Sequence, residues 1–208
     1  METQLSVWNS IAKSWHSFRQ KPIILAEVLA VRWKPGKILD IGCGNGRNLI
    51  PFLKQGFKGA GLDFSGEMIK NAQALLKKNH LSARSDLKEG EMQALPYADE
   101  SFDYLTSIAS FHHLKEADRK VALLEMRRVL KKDGLLLMTV WNKRQLKFLF
   151  GFKDKFVPWN VGRNIHQRYY HLFTYNELKK LLSATGFDII EDNNKFLDQN
   201  LVFIARRK

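Results

Sequence analysis

The chain has 208 residues, enough for one sizeable core, and its hydrophobic share of 45% is ordinary for a globular domain. Its 34 Lys and Arg against 21 Asp and Glu leave a net charge of +13, an excess that favours a polyanionic partner, most simply nucleic acid. The single cysteine, Cys43, excludes an internal disulfide framework, no apolar run is long enough to span a bilayer, and the opening Met1-Glu-Thr-Gln-Leu-Ser6 lacks the order of a signal peptide, so a cytoplasmic location is expected.

Leu5, Trp8, Ile11, Ala12, Trp15 and Phe18 recur at intervals of three and four, which predicts an amphipathic helix. Lys21-Pro22 opens a second helix with Ile24, Leu25, Val28 and Leu29 as its buried stripe, ended by Trp33-Lys-Pro-Gly36. Residues 1–35 are expected either to cap a ligand pocket or to cover a sheet edge. Lys37-Ile-Leu-Asp-Ile-Gly-Cys-Gly-Asn-Gly-Arg47 then reads as a short strand running into a glycine-rich turn, with Leu49, Ile50, Phe52 and Leu53 at helical spacing after it. Strand, glycine turn and helix is how a chain presents backbone N–H groups to a cofactor. The next strand, Gly59-Ala-Gly-Leu-Asp63, ends in a carboxylate at the distance where a βαβ unit holds ribose hydroxyls. Gly-x-Gly-x-Gly is not the dinucleotide fingerprint, which needs a further residue before its last glycine. Cys43 is a small packing residue of the turn, not a nucleophile.

Ser65 is the expected N-cap of a helix with Met68, Ile69, Ala72, Leu75 and Leu76 on its inner face. A weak, polar third strand near Leu87 belongs at a sheet edge. A fourth strand covers 102–109, followed by Ser110-Phe-His-His113. Residues 116–130 predict a helix with Val121, Leu124, Met126 and Val129 buried, stopped by Lys131-Lys-Asp-Gly134, and 135–141 a central apolar strand. The alternation predicts an α/β fold: a Rossmann-like, seven-stranded, mostly parallel sheet with helices on both faces, in a single domain over 1–208.

Residues 142–173 break that rhythm. Lys143, Arg144, Lys147, Lys153, Lys155, Arg163 and Arg168 alternate with Phe148, Phe150, Phe152, Phe156, Trp159, Tyr169 and Tyr170. Basic and aromatic residues together suit phosphate contacts and base stacking, so the segment, partly helical over 144–150, is expected to bind nucleic acid. Thr174 and Glu177 form a capping box for a helix ended by Gly186, and two closing strands cover 187–191 and 201–205, joined through 192–200.

Leu39-Asp-Ile-Gly-Cys-Gly-Asn-Gly46 and Leu62-Asp-Phe-Ser65 resemble the class I S-adenosylmethionine (SAM) methyltransferases. Trp8-Asn-Ser-Ile-Ala12, Phe18-Arg19, Lys21-Pro22, Ser107-Ile-Ala-Ser-Phe-His-His-Leu114, Val140-Trp141, Val157-Pro-Trp159, Gln167-Arg-Tyr-Tyr-His171 and Asp198-Gln-Asn200 are together similar to the tRNA wobble-uridine carboxymethyl methyltransferases. That family esterifies the carboxylate of 5-carboxymethyluridine in the anticodon loop. The resemblance implies SAM as cofactor, with Gly42 and Gly44 lying under it, Asn45 also binding it and Asp40 helping to hold its amino-acid part. Asp63 would take the ribose, with Phe64, Glu91 and Met92 by the adenine and Ser107 and Ile108 flooring the pocket. It implies Arg19, Arg168 and His171 orienting the carboxylate or a nearby phosphate, and His112 facing the substrate. Tyr169 and Trp141 would stack on uracil, line the methyl pocket or pack in the core. A carboxylate is ionised at neutral pH, so the chemistry needs positioning and no general base. In keeping with this, no nucleophile–base pair or metal cluster is evident in the sequence.

Family members often work with a small zinc-binding activator along the sheet edge. With the polar Arg84-Ser-Asp-Leu-Lys-Glu89 at that edge, either such a partner docks differently or the protein acts alone, and a reduced dependence is expected. Leu95-Pro-Tyr-Ala-Asp-Glu-Ser-Phe-Asp103 also resembles quinone- and metabolite-methylating relatives, which leaves a small-molecule methyltransferase as the alternative. A non-catalytic SAM- and RNA-binding subunit is a third reading.

Overall fold

The computed structural model describes residues 2–148, 150–193 and 198–208. Residues 194–197, within the connection between the last two expected strands, lie outside the described residues. The chain packs as two units, Met1–Met92 with Pro158–Arg168, and Gln93–Val157 with Tyr169–Lys208.

The first unit carries helices α1 (Gln4–Phe18) and α2 (Ile24–Arg32), then β1 (Lys37–Ile41), α3 (Leu49–Lys54), β2 (Lys58–Asp63), α4 (Gly66–Lys78) and β3 (Ser85–Glu89). The strands β1, β2 and β3 pair in parallel, Asp40 lying beside Gly61 and Asp63 beside Glu89. All of β1 and β2 beyond their first lysines is buried. Ser65 caps α4 as expected, its Oγ accepting the Met68 N–H at 3.2 Å and donating to Asn9 Oδ1 at 2.6 Å. Trp8, Ile11 and Ala12 of α1 form a core cluster with Met68 of α4, and Trp15, Phe64, Trp159 and Val161 pack against it. Each large apolar side chain buried there contributes about 1.5–3 kcal/mol.

Helix α2 differs from expectation. Its buried residues are Ala26, Leu29 and Ala30, whereas Ile24 and Val28 are exposed. Apolar residues lie all round this short helix, so periodicity alone does not say which side faces inward.

The second unit carries β4 (Phe102–Ile108), α5 (Glu116–Val129), β5 (Leu130–Trp141), α6 (Tyr175–Ala184), β8 (Phe187–Asp192) and β9 (Asn200–Arg207). The strand β5 starts directly after α5. Leu130 pairs with Phe102 and Leu135 with Tyr104, so 131–134 bulge out of the ladder, with Asp133 at φ +62°. The inner face of α5 is Arg119, Ala122, Leu123, Met126 and Val129, while Val121 and Leu124 are about half exposed, against expectation. The capping box on α6 is formed as predicted.

The sheet order is β3-β2-β1-β4-β5-β9-β8, with β9 antiparallel to β5 and β8. Residues 142–173 are largely strand, not helix. A single 3-10 turn at Leu146–Phe148 precedes a separate hairpin of β6 (Asp154–Val161) and β7 (Asn164–His171). Gly162, at φ +59°, supplies the positive φ of its two-residue turn. No helix among the described residues is long and apolar enough to cross a membrane.

Candidate functional site

In the first unit the turn after β1 is built on Gly42, Gly44 and Gly46 at φ +71°, +55° and +74°. Such angles are left-handed and strained for any residue with a Cβ. A Cβ on Gly44 would also meet the Trp15 ring at 3.5 Å. The Gly42 and Cys43 amides donate to the Leu62 carbonyl at 2.7 and 2.9 Å. Asp63, at the end of β2, accepts the Gly44 N–H through Oδ2 at 2.8 Å and the Ser65 N–H through Oδ1 at 3.0 Å. Burial pushes its carboxyl up to about 6, although these two bonds pull the other way. Burial, with Asp63 and Asp40 nearby, raises the Cys43 thiol well above its ordinary value. It therefore stays protonated, and Cys43 packs against the position where Gly61 has no side chain.

Asn45 is fully buried. Its Nδ2 donates to the Arg19 carbonyl at 2.7 Å and to His16 Nδ1 at 2.9 Å, which requires the lone pair on that ring nitrogen. Its Oδ1 is buried and accepts nothing from the described residues. Asp40 is buried at the end of β1. Phe64 is half-buried on the α1 cluster, Met92 is half-buried, and Glu91 and Arg19 are exposed.

The hairpin tip belongs to this unit. Trp159 donates through Nε1 to Ser14 Oγ at 2.8 Å and meets Phe18 edge-on, ring centroids 5.9 Å apart. Gln4 Nε2 donates to the Gln167 carbonyl at 3.0 Å. The buried Arg168 guanidinium lies 4.8 Å from the Trp159 ring centre and 5.9 Å from that of Trp8, with Nη2 donating to the Pro158 carbonyl at 3.4 Å.

In the second unit Ser107 and Ile108 are buried at the carboxyl end of β4, with Ser107 Oγ 2.9 Å from Ser110 Oγ. His112 is 1% exposed, and its Nδ1 accepts the Trp141 backbone N–H at 3.0 Å. His113 donates through Nδ1 to the Tyr169 carbonyl at 2.8 Å. Tyr170 stacks on Trp141 at 4.2 Å and 23°, and the His112 ring lies 4.9 Å from Tyr170. Trp141 in turn stacks on Phe148 at 5.8 Å, with Lys147 Nζ 5.0 Å from the indole centre and 4.6 Å from the Phe148 ring. Phe150 and Phe152 are exposed.

Tyr169 and His171 belong to a different group, the base of the hairpin. The Tyr169 hydroxyl donates to Asp154 Oδ1 at 2.8 Å. His171 places Nδ1 2.7 Å from Asp154 Oδ1 and Nε2 2.8 Å from Glu177 Oε1, a geometry that the doubly protonated ring satisfies in full. Lys153 pairs with Glu177 Oε2 at 2.8 Å. The buried Arg119 reaches the Tyr169 hydroxyl at 3.4 Å, Asp154 at 3.9 Å and Glu177 at 4.0 Å. Burial would raise Glu177, but its bonds from His171 and Lys153 outweigh this and hold it at about 2. Burial and Asp154 push the Tyr169 phenol up to about 12. The hydrogen-bonding atoms of Tyr169 and His171 are thus committed within this network.

Sequence reasoning missed His16, Arg119 and Asp154, named Tyr170 only as one aromatic of the 142–173 segment, and took Glu177 only as a cap. One signal was available: Arg119 stands in register with Ala122, Leu123 and Met126, on the apolar stripe of α5.

Residues 39–138 match the family model described as a methyltransferase domain. The chain is 34% identical over 163 residues to a putative methyltransferase of Encephalitozoon cuniculi, covering 74% of this chain and 71% of that one. It is 29% identical over 212 residues to the tRNA (carboxymethyluridine(34)-5-O)-methyltransferase of Schizosaccharomyces pombe, covering 89% and 88%. Among solved structures, the PH0226 protein of Pyrococcus horikoshii superposes with a TM-score of 0.72 at 24% identity, over 88% of this chain and 87% of that one. The residues of the first unit fit SAM. Its glycine turn leaves backbone bare, the buried Asn45 Oδ1 has an acceptor lone pair unused among the described residues, and each Asp63 oxygen keeps a lone pair for a hydroxyl. The chain belongs to the class I methyltransferases, and its cofactor is S-adenosylmethionine.

Proposed function

We propose that the chain methylates the carboxylate of a 5-carboxymethyluridine at the wobble position of tRNA. The observation that carries this reading is the extent of the likeness to the S. pombe enzyme, which takes in 89% of one chain and 88% of the other. The basic and aromatic group of the second unit supports the same reading. Trp141, Tyr170 and Phe148 with Lys147, beside the exposed Phe150 and Phe152, suit base stacking and phosphate contact.

SAM supplies a methyl group on a positively charged sulfur. That methyl group would pass to a carboxylate oxygen, the electron pair of the carbon–sulfur bond staying with sulfur. No proton moves, because the acceptor is already ionised. The protein's task is to bind both groups and align them, which supplies most of the acceleration in such a reaction. Asp40, Gly42, Gly44, Asn45 and Asp63 would hold the cofactor, with Phe64, Glu91 and Met92 by its adenine, and Ser107 and Ile108 would floor the pocket. Arg168, fixed between two indoles, presents its planar guanidinium to one carboxylate oxygen, leaving the other to react. Arg19 steers phosphate. His112 lines the acceptor site, and Tyr169 and His171 position β7 through Asp154 and Glu177.

The test is methyl transfer from labelled SAM to tRNA carrying 5-carboxymethyluridine, with unmodified tRNA and a small quinol as controls, with and without a zinc-binding activator. A methyl ester on the modified uridine alone is expected. Arg168→Ala abolishes transfer and spares SAM binding. Transfer to the quinol, or none to either tRNA with SAM still bound, overturns the reading.

A further inference from the structure

We infer that the outer face of α2, with the groove beside it, docks an acidic amphipathic segment of a protein partner. Ile24, Val28 and Val31 follow one another at i, i+4 and i+7 on α2 and are 77%, 52% and 74% exposed. That spacing puts them in one stripe. The helix is already anchored on its other side by Ala26, Leu29 and Ala30. The stripe is therefore surplus to the core, and contiguous exposed aliphatic surface marks an interaction site. A groove of about 550 Å³ runs beside it between α2, α3 and α4. Ala30, Ile50, Pro51 and Leu75 give it apolar lining, and Lys21, Lys54 and Lys78 line it together with a single carboxylate, Glu27.

The chemistry selects the occupant. Branched aliphatic side chains offer no flat π face, so this surface cannot stack bases as Trp141 and Phe148 can. A lipid surface is met by protruding apolar groups, whereas a concavity of this size receives a side-chain ridge. A second copy of this +13 chain would bring the same lysines to an isologous contact. A helix or strand with an apolar ridge flanked by carboxylates complements the stripe, the groove and the lysines together. None of these residues belongs to the proposed cofactor or acceptor sites, so the inference stands apart from the identity of the methyl acceptor.

The probe is a set of fluorescein-labelled helical peptides of about 16 residues, with leucines at i, i+4, i+7 and i+11 and glutamates on either side. It is added to the full chain and followed by anisotropy. Saturable binding is expected. It weakens at least about tenfold in Val31→Ser and in the Lys54→Glu, Lys78→Glu double variant, with SAM affinity unchanged. Peptides with lysine in place of glutamate do not bind. The inference is overturned if no acidic peptide binds, or if both variants bind as the parent does. It is equally overturned if Val31→Ser spares the peptides while weakening binding to single-stranded RNA or phosphatidylserine vesicles, or while converting a dimer to a monomer.

Discussion

Asp63 holds the Gly44 amide: Oδ2 accepts that N–H at 2.8 Å, tying the end of β2 to the turn after β1. The price is a buried carboxyl whose value rises from 3.8 to about 6. A raised acid favours the folded state below its unfolded value, and that contribution is lost as pH rises through about 6. The apo protein loses about 3 kcal/mol from this group between pH 3.8 and neutrality. Cofactor binding has the opposite sign, because ribose hydroxyls donate to the ionised form. SAM affinity measured by calorimetry is expected to fall about tenfold from pH 7 to pH 5, a dependence that Asp63→Ala removes along with most of the affinity.

Asn45→Ala leaves the Arg19 carbonyl and His16 Nδ1 without their shared donor. A loss of about 1–3 kcal/mol is expected from urea unfolding. The variant also binds SAM more weakly, since the buried Oδ1 disappears with the donor.

Glu177 supplies the acid limb of stability. Its folded value of about 2 lies below the unfolded 4.5, so its contribution is full above about 4.5 and lost as pH falls toward 2. The stability difference between the parent and Glu177→Gln is therefore constant from pH 5 to 7 and shrinks in acid. Denaturant midpoints taken at pH 7, 5 and 3 check this, and a difference that grows in acid contradicts it.

Trp141→Ala removes the central plate of the Tyr170–Trp141–Phe148 stack. Tyr170 and Phe148 then lose the ring that fixes them for a stacked base, an interaction worth about 1–3 kcal/mol, so tRNA affinity by filter binding falls by up to about a hundredfold, with SAM affinity retained.

The glycine turn was legible because its geometry is local. Three glycines at alternate positions point to a tight turn, which Gly42, Gly44 and Gly46 make with left-handed backbone, and Asp63 ends the next strand. Long-range packing was less so. Nothing in Ile24-Leu-Ala-Glu-Val-Leu29 distinguishes the inward side of α2, because apolar residues stand on both sides. The hairpin was hidden by Pro158, which lacks an N–H and argues against a strand. In β6, a strand of a two-stranded sheet, Pro158 is exposed, its place in the alternation of half-buried Lys155, Val157, Trp159 and Val161 intact. Tyr169 and His171 were singled out as polar residues in a motif. Their commitment to Asp154, Glu177 and Arg119 joins three separate stretches of chain, which spacing cannot reveal.

Cys43 gives the chain a built-in clock. The sequence holds no other thiol, and this one is buried in the glycine turn with its ionisation suppressed. Alkylating reagents reach it only when the turn opens, so the rate of modification counts those openings. Adding SAM slows the count in proportion to its occupancy, which turns one inert packing residue into a measure of how often the glycine turn breathes.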